Sequence, residues 1–418
     1  MPAADHPLFG LGDSAYLRAV RAGSPPPFTP VWFQRQAGRS LPEYRARRGT
    51  GTILDTIADA DLAAELTLQP VRRHGVDAAV LFSDIVVPVA AVGFGVDVVR
   101  GVGPVVGRPF ERRSDLDRLP ELDPEHHTPH VLAAVRLVTE QLASAPSPDV
   151  PSPAGHGGIP LIGFAGAPFT VACYLIEGRP ARDHARTKAL MLDDPELWHD
   201  LMARLADIAL ASMRSQVLAG ASAVQLFDTW AGALTPHDYA RFVLPHTRRV
   251  FDGLADLAAL GVVRAHFGVA TGELLGPMST VGCEVLGVDW RVPLGEAHRR
   301  VSAAAVSAAG AAESDGSPGR VPALQGNLDP AVCLAGWPAV RDHVDDVLRR
   351  ATALPGHVFN LGHGVLPATD PDILGRIVRH VHEQTSAGGE FDVSARAQPA
   401  TQPAAQPAAQ SAAQPPAP

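Results

Sequence analysis

The sequence predicts an α/β protein, a single (β/α)8 TIM barrel with insertions and a C-terminal tail. Eight short apolar runs alternate with longer segments of helical periodicity, which is the pattern of repeated strand-helix units around a parallel sheet. Polar residues collect where these runs end, and in such barrels the functional residues follow the strands. An open doubly wound sheet fits the same alternation. No GxGxxG follows any run, however, and we therefore favour the closed barrel.

The predicted strands are short, and several of them end in Gly, Asp or Asn. They begin at Val31, Ala79, Leu161, Ala223, Val262, Glu284, Pro322 and Val358. The intervening segments, such as DLAAELTLQPVRRHG from Asp61, place apolar residues three and four positions apart and end near glycine. This spacing predicts amphipathic helices that cover the outside of the barrel.

Two insertions and a tail interrupt the repeated pattern. After the second strand, VDVVRGVGPVVGRPF predicts an extra β-hairpin, and APSPDVPSPAGHGG predicts a linker. Before the seventh strand, SAAAVSAAGAAESDGSPGR predicts a partly flexible stretch of small residues. From Ser386 onward the composition is dominated by Ala, Gln and Pro. We therefore predict a catalytic barrel domain over residues 1–385 and a disordered low-complexity tail over residues 386–418.

Composition excludes several classes of protein. The chain has 418 residues and 46% hydrophobic content, which is enough to bury a sizeable core. A net charge of -9 argues against a general nucleic-acid or anionic-membrane surface. Three widely separated cysteines form neither a disulfide framework nor a structural zinc site, and no stretch is typical of a membrane span or a secretion signal. We therefore expect a cytoplasmic protein.

The basic residues restrict the chemistry further. Lys188 is the only lysine, and every other basic side chain is arginine. Arginine forms no Schiff base, and Lys188 lies in a predicted helix without an active-site turn, which disfavours pyridoxal or imine catalysis. The phosphate-binding pattern GxxxxGK[ST] is also missing, so P-loop chemistry has no support in the sequence.

The densest group of candidate binding residues follows the first strand, in QRQAGRSLPEYRARR. Arg35 and Arg39 flank Gln36 and a glycine, which makes a local positive patch in a net-acidic chain. Planar guanidinium groups bind carboxylates through paired hydrogen bonds. We predict that Arg35, Gln36 and Arg39 bind a substrate with several carboxylates. The alternative is a solvated arginine helix, which we prefer for Arg47 and Arg48.

Other strand ends supply further polar candidates. Asp84 follows the second strand in LFSDI, and there a functional carboxylate and a cap of the next segment are equally supported. Tyr174 is a candidate donor, although spacing alone favours a buried tyrosine with a satisfied hydroxyl. His363 lies between two glycines, which favours function, whereas His266 favours a structural role. The remaining candidates at the strand ends are Asp228, Thr229, Asp289, Arg291, Asn327 and Asp329.

No trio of His, Cys and carboxylate residues has the spacing of a metal site, so we predict no metal site.

Eight motifs in order resemble the uroporphyrinogen decarboxylase family. They are PVWFQRQAGRSLPEYR, LFSDI, GFAGAPFTVACYLIEG, QLFDTWAG, HFG with GELL, GVDWRVPL, QGNLDP and NLGHGV. The resemblance covers the chain from about Leu8 to His382. The resemblance implies a (β/α)8 barrel, a homodimer and no metal or organic cofactor. It also implies conversion of the four acetate side chains of uroporphyrinogen III into methyl groups, which gives coproporphyrinogen III in haem and tetrapyrrole biosynthesis.

The resemblance assigns roles to individual residues. Arg35 and Arg39 match the arginines that bind substrate carboxylates, and Asp84 matches the aspartate at the pyrrole NH groups. Tyr174 and His363 match further positions of the substrate pocket. On this basis we expect Asp84, Arg35 and Tyr174 to be catalytic. Arg35 is better suited to anchor a carboxylate than to donate a proton, because the pKa of arginine exceeds about 12.

Two positions depart from the family pattern. Thr229, a predicted substrate contact, stands where some relatives have serine, and the hydroxyl is preserved. Gln34 replaces the usual methionine before the arginine, which bears on the packing of the first strand end.

The expected chemistry needs no cofactor, because a pyrrole that is protonated on a ring carbon accepts the electrons released when CO2 leaves. An aspartate beside that cationic ring should be ionised. Two other classes of function remain. Zinc-dependent methyl transferases share this barrel but need thiolate and histidine ligands, where this chain has GHGV. A tetrapyrrole carrier without catalysis would keep the arginines and be indifferent to replacement of Asp84.

Overall fold

A computed structural model describes residues 14–21, 25–49, 51–99, 101–143, 158–311 and 321–394, together with His6 and Leu11. The strands are β1 (Ala79–Val80), β2 (Val96–Val99), β3 (Gly103–Val106), β4 (Leu161–Gly166), β5 (Ala223–Asp228), β6 (Val263–Gly268), β7 (Val285–Gly287), β8 (Ala323–Gln325) and β9 (His357–Val358). The helices of the first half are α1 (Ala15–Val20), α2 (Pro42–Arg48), α3 (Ile53–Ala58), α4 (Ala60–His74), α5 (Val87–Ala91), α6 (Pro124–His127), α7 (Pro129–Ala143), α8 (Pro168–Glu177), α9 (Ala185–Asp193) and α10 (Pro195–Ala219). Those of the second half are α11 (Pro236–Phe242), α12 (Leu244–Asp252), α13 (Ala255–Ala259), α14 (Leu275–Ser279), α15 (Leu294–Ala311), α16 (Trp337–Ala351) and α17 (Pro371–Thr385), and short 3-10 helices span Arg113–Arg118, Ala231–Ala233, Gly272–Leu274 and Pro330–Leu334.

Seven parallel strands form one sheet in the order β1-β4-β5-β6-β7-β8-β9. The first predicted strand closes this sheet through a single residue. Val31 forms a parallel bridge with Phe359, and its carbonyl accepts a hydrogen bond from the Asp77 N–H at 2.8 Å, just before β1. The barrel prediction is therefore confirmed, with the first strand shortened to one bridge.

The helices pack on the sheet through amphipathic faces, as α4 illustrates. The Asp59 carboxylate caps this helix by accepting a hydrogen bond from the Leu62 N–H at 3.0 Å. Gly75 ends it in the left-handed conformation, with φ 69°, which glycine adopts without steric cost. The buried face contacts the barrel and the exposed face carries charged residues.

The predicted insertions have different outcomes. The hairpin is confirmed, because β2 and β3 pair antiparallel from Val96 with Val106 to Val99 with Gly103. The predicted linker, residues 145–158, lies outside the described residues except for Gly158. The stretch before the seventh strand is helical as far as Ala311, because it continues the amphipathic helix α15, and the rest of it is not described.

The folded chain extends beyond the predicted domain boundary at residue 385. Phe391 and Val393 are buried, and their N–H groups donate to the carbonyls of Gln384 and Thr385 at 2.8 and 3.0 Å. These apolar side chains precede the Ala-, Gln- and Pro-rich repeat, so they still contribute to the core. The rest of the predicted tail, residues 395–418, lies outside the described residues. Within the described part, no helix is both long enough and apolar enough to span a bilayer.

Candidate active site

A cleft opens at the carboxyl ends of the barrel strands. Its lining is formed by Gln34, Arg35, Gln36, Ala37, residues 80–85, Phe164, Phe227, Thr229 and His363. The structure therefore brings together Arg35, Gln36, Asp84, Thr229 and His363 from four different loops, as expected for a barrel active site. Tyr174 and Arg39 are the predicted site residues that are not part of this lining.

Arg35 is presented by an unusual backbone. Its φ of 56° lies in the left-handed region, which residues with a side chain adopt rarely and often at functional sites. The side chain is exposed and has no hydrogen bond or ion pair among the described residues. Its aliphatic part crosses Gly364, where an added Cβ would lie 2.6 Å from the Arg35 Cδ. A glycine is therefore required beside this arginine, and the guanidinium remains available for an anion.

Gln36 lines the cleft and also holds the turn that carries Arg35, and its role as a substrate contact stays a prediction. The side chain is buried. Its Oε1 accepts a hydrogen bond from the Phe33 N–H at 3.0 Å, and its Nε2 donates to the Ala78 carbonyl at 3.1 Å. Both ends of the amide are thus used within the protein. Gln36 connects the first strand with the segment that leads into β1.

The substitution at Gln34 leaves the backbone of this turn well bonded. The Gln34 N–H donates to Asn360 Oδ1 at 3.1 Å, and the Gln34 carbonyl accepts from the Val365 N–H at 2.9 Å. The side chain lies in the wall of the cleft and is buried. The departure from methionine therefore changes the polarity of the cleft wall without disrupting the first strand end.

Asp84 caps the segment that follows it and also lines the cleft, so both interpretations of the sequence stay compatible with its position. Its Oδ1 accepts a hydrogen bond from the Val86 N–H at 3.1 Å and so caps the turn before α5. The same carboxylate lines the cleft. Burial raises the pKa of Asp84, whereas the N–H groups of Val86 and Ile85 and the charge of Arg35 oppose that increase. A cationic ligand in the cleft would favour the ionised form further.

Tyr174 projects from α8, close enough to Asp84 and Arg35 for their charges to act on it. Its side chain is buried, and its ring packs edge-on against Trp230 with ring centroids 6.1 Å apart. Burial is the main cause that raises the pKa of Tyr174 to about 12; a hydrogen bond with the Trp230 side chain and the charge of Arg35 oppose the increase, and the charge of Asp84 supports it. The phenol is therefore protonated at neutral pH and able to donate a hydrogen bond.

A buried bridge positions both Tyr174 and Thr229. Thr170, one turn before Tyr174 on α8, donates from its hydroxyl to Asp228 Oδ1 at 2.9 Å. The same hydroxyl accepts a hydrogen bond from the Trp230 N–H at 3.1 Å. Asp228 and Thr170 are both fully buried. Asp228, a candidate at the strand end, thus links α8 to the end of β5 and does not line the cleft.

His363 is neutral in the protein. Its Nδ1 accepts a hydrogen bond from the Gly364 N–H at 2.6 Å, which places the ring proton on Nε2. Burial and, to a smaller extent, the positive charges of Arg35 and Arg291 together lower the pKa of His363 to about 4. A neutral imidazole with a protonated Nε2 is a hydrogen-bond donor for a carboxylate.

Arg39 is not among the residues that line this cleft, and its role stays a prediction. It is exposed on the loop that precedes α2, and its carbonyl accepts a hydrogen bond from Arg45. His266 is fully buried, in agreement with the structural role favoured for it.

Aromatic residues at the strand ends form the part of the site that the sequence interpretation missed. Phe164 on β4 and Phe227 on β5 line the cleft, with ring centroids 5.4 Å apart in an edge-to-face arrangement. The runs LIGFAG and AVQLFD contained the signal, because a phenylalanine near the end of each strand stands out in a chain with only 6% aromatic residues. The described residues contain no cluster of three or more His, Cys, Asp or Glu side chains arranged to hold a metal ion.

The fold and the site together define a class of protein, a (β/α)8-barrel enzyme for an anionic ligand with an apolar body. A guanidinium, a carboxylate, a neutral imidazole and aromatic walls meet at its strand ends. The sequence model of the uroporphyrinogen decarboxylase family matches residues 12–384, and the chain belongs to this family. The predicted resemblance is thereby confirmed.

Individual relatives support this assignment. The chain is 54% identical over 374 residues to the uroporphyrinogen decarboxylase of Streptomyces griseus, covering 90% of this chain and 93% of that protein. It is 54% identical over 383 residues to the enzyme of the same name from Streptomyces coelicolor, covering 92% and 98%. A methyltransferase from Methanosarcina mazei has a similar structure, with a TM-score of 0.66, 17% identity and coverage of 89% and 98%. At that identity the likeness shows the fold alone.

Proposed function

We propose that this protein is an enzyme that decarboxylates the four acetate side chains of uroporphyrinogen III and releases coproporphyrinogen III, a step of haem and tetrapyrrole biosynthesis. One observation carries the proposal at the level of the site: Arg35 and Asp84 line a single cleft in a chain that belongs to this family. A carboxylate and an unpaired guanidinium are the two charges that a polyanionic pyrrole macrocycle requires.

The reaction balances without a cofactor. A proton adds to a ring carbon of the pyrrole, and the ring becomes cationic. The bond between the acetate methylene and its carboxylate then breaks, CO2 leaves, and the bonding electron pair neutralises the ring. A second proton adds to the methylene carbon, and the first proton leaves the ring. Each round therefore exchanges one CO2 for one proton and leaves a methyl group.

The roles of the residues follow from charge and hydrogen bonding. Asp84 accepts hydrogen bonds from the pyrrole N–H groups and stabilises the cationic ring electrostatically. Arg35 binds a carboxylate of the substrate, with its stem held against Gly364. Thr229 and the neutral His363 donate hydrogen bonds to polar groups of the substrate. Tyr174, protonated and close to Asp84, donates a further hydrogen bond.

The central test is anaerobic turnover of uroporphyrinogen III by the wild type and by Asp84→Asn. The amide keeps the shape of the side chain but cannot balance a cationic ring, so we expect turnover to fall about 100- to 1,000-fold while the protein stays folded. Asp97→Asn, at an exposed aspartate of the β2–β3 hairpin, is the matched control and should retain full activity.

The same assay separates catalysis from transport. A carrier would bind the macrocycle and release it unchanged, whether or not Asp84 is replaced. Near-normal product formation by Asp84→Asn would contradict the role of that residue, and a wild type that forms no coproporphyrinogen would contradict the function.

We also propose a homodimer in the cytoplasm. The support is the resemblance to the family and a composition without the features of a secreted or membrane protein. Light scattering of the purified protein tests the dimer, and a mass equal to one chain would contradict it.

A further inference from the structure

Arg291 follows β7 and belongs to a loop that the proposed function does not use. Resting on that function, we propose that Arg291 forms a second carboxylate-binding subsite, which holds a side chain of the macrocycle on the side of the barrel opposite Asp84.

The strand order places these two residues across the barrel from each other. Val31 is the first strand position, Asp84 follows the second strand, β1, and Arg291 follows the sixth, β7. In a ring of eight parallel strands, positions two and six are diametrically opposed. A macrocycle with its pyrrole N–H groups on Asp84 therefore has an edge that faces Arg291.

The guanidinium of Arg291 is held in one orientation. Asp289, whose side chain is 1% exposed, accepts from the Arg291 N–H at 2.8 Å through Oδ1 and from Arg291 Nη1 at 3.1 Å through Oδ2. The guanidinium carbon also stacks over the ring of Trp290, 3.9 Å from its centroid. The Arg291 side chain nevertheless remains 49% exposed. An arginine that is oriented by its neighbours and open to solvent is prepared to bind a carboxylate.

The loop that carries Arg291 is fixed against the cleft. Asn327 Nδ2 donates to the carbonyls of Asp289 and Val292 at 2.8 and 2.7 Å. A Cβ added to Gly362 would lie 2.3 Å from the Trp290 nitrogen, so this loop packs directly on the segment that leads to His363. The charge of Arg291 accordingly contributes to the low pKa of His363. The positive charges of Arg291 and Arg35 thus both favour the neutral form of His363.

This arrangement also answers a chemical need. Arg35 follows the first strand position, next to the strand that leads to Asp84. Arg35 alone would leave the carboxylates on the far edge of the substrate without a fixed positive partner. Arg291 supplies one, and its Nε and Nη2 have no hydrogen-bond partner among the described residues. The alternative is that Arg291 only neutralises Asp289.

The experiment compares Arg291→Gln, Arg291→Lys and the wild type. Kinetic constants are measured with uroporphyrinogen III, and binding is measured by fluorescence titration with oxidised uroporphyrin III as the probe. We expect Arg291→Gln to raise KM and the probe Kd about five- to tenfold with kcat within about twofold, because a partly exposed charged hydrogen bond is lost. Arg291→Lys should recover part of the affinity, and added salt should weaken the wild type more than Arg291→Gln.

Arg249→Gln is the matched control. Arg249 is 54% exposed, pairs with Asp207 on the outer helices and should leave every constant unchanged. Unchanged KM and Kd in Arg291→Gln would overturn the inference, as would a joint loss of kcat and melting temperature that lysine does not restore. If the wild type itself fails to convert uroporphyrinogen, the proposed function fails instead. Wild-type turnover with no effect at Arg291 refutes only the subsite.

Discussion

Arg35 at the mouth of the barrel and the arginines of the outer helices are used in opposite ways. On the outside, Arg214 pairs with Asp256 at 2.6 Å, and Arg249 pairs with Asp207 at 2.7 Å. At the mouth, Arg35 has no such partner among the described residues, although its charge acts on Asp84 in the cleft. Exposed ion pairs contribute little to stability, typically about 0–1 kcal/mol. The difference indicates that the unpaired guanidinium serves binding, whereas the paired ones organise the surface.

Among the changes that test this comparison, Gly364→Ala should have the largest effect on catalysis and should act at the mouth only. A Cβ at this position would lie 2.6 Å from the Arg35 Cδ, so the arginine must move. We expect kcat/KM for uroporphyrinogen III to fall about tenfold or more, since a misplaced anchor misaligns the substrate. Steady-state kinetics measure the effect on the site, and the melting temperature measures the effect on stability. A large fall in melting temperature with normal kcat/KM would contradict the comparison.

Truncation should do the reverse and affect stability without affecting the site. Deletion from Ser386 removes the buried Phe391 and Val393, which costs about 2–4 kcal/mol of unfolding free energy. Deletion of residues 395–418 should leave it unchanged. Urea denaturation measures both effects, and kcat/KM should be normal for both proteins. Equal stability of the two truncated proteins would show that the segment 386–394 does not contribute to the core.

Acid should weaken the protein through histidines in both regions. His363 at the mouth and His74 on α4 each have a pKa lowered to about 4, mainly by burial. Their unfolded pKa is about 6.5, so the unfolded state binds more protons between these values, and stability is lost as the pH falls from 6.5 towards 4. His363→Asn should reduce the loss of unfolding free energy between pH 6.5 and pH 4 by about 1–2 kcal/mol, as followed by urea denaturation at several pH values. An unchanged loss would mean that the pKa of His363 is the same in the folded and unfolded protein.

The smallest effect is expected on the outside. Arg249→Gln removes an exposed ion pair and should change the unfolding free energy by less than about 1 kcal/mol, with no change in kinetics. Thermal denaturation and turnover assays measure it. A strong loss of either would mean that the outer pairs do more than organise the surface.

Arg35, Asp84, Thr229 and His363 line one cleft, but the resemblance to the family was needed to select Asp84 among them. Periodicity and strand-end chemistry alone were sufficient to predict the barrel and the extra hairpin. They could not predict the direction of individual side chains. Gln36 and Arg39 lie in the same motif as Arg35, but a left-handed turn at Arg35 sends one into the protein and the other into solvent.

The buried residues just beyond the predicted boundary were missed for a related reason. Composition averages over several residues, and Phe391 and Val393 are two apolar positions in an otherwise polar and small-residue segment. Phe164 and Phe227 were overlooked because phenylalanine in a strand is usually core, and only the closed barrel shows that their rings face the cleft.

The single-residue bridge at Val31 has a consequence for anyone who tries to transplant this site. The segment before Arg35 has no regular ladder of backbone hydrogen bonds, and side chains from other segments hold it instead. Asp77 accepts from the Val31 N–H at 2.7 Å, and Asn360 accepts from the Gln34 N–H. Copying the visible pocket residues onto another scaffold would leave these distant supports behind. The grafted arginine would then have no fixed position, and the chimera would fail to bind the substrate although its pocket residues were correct.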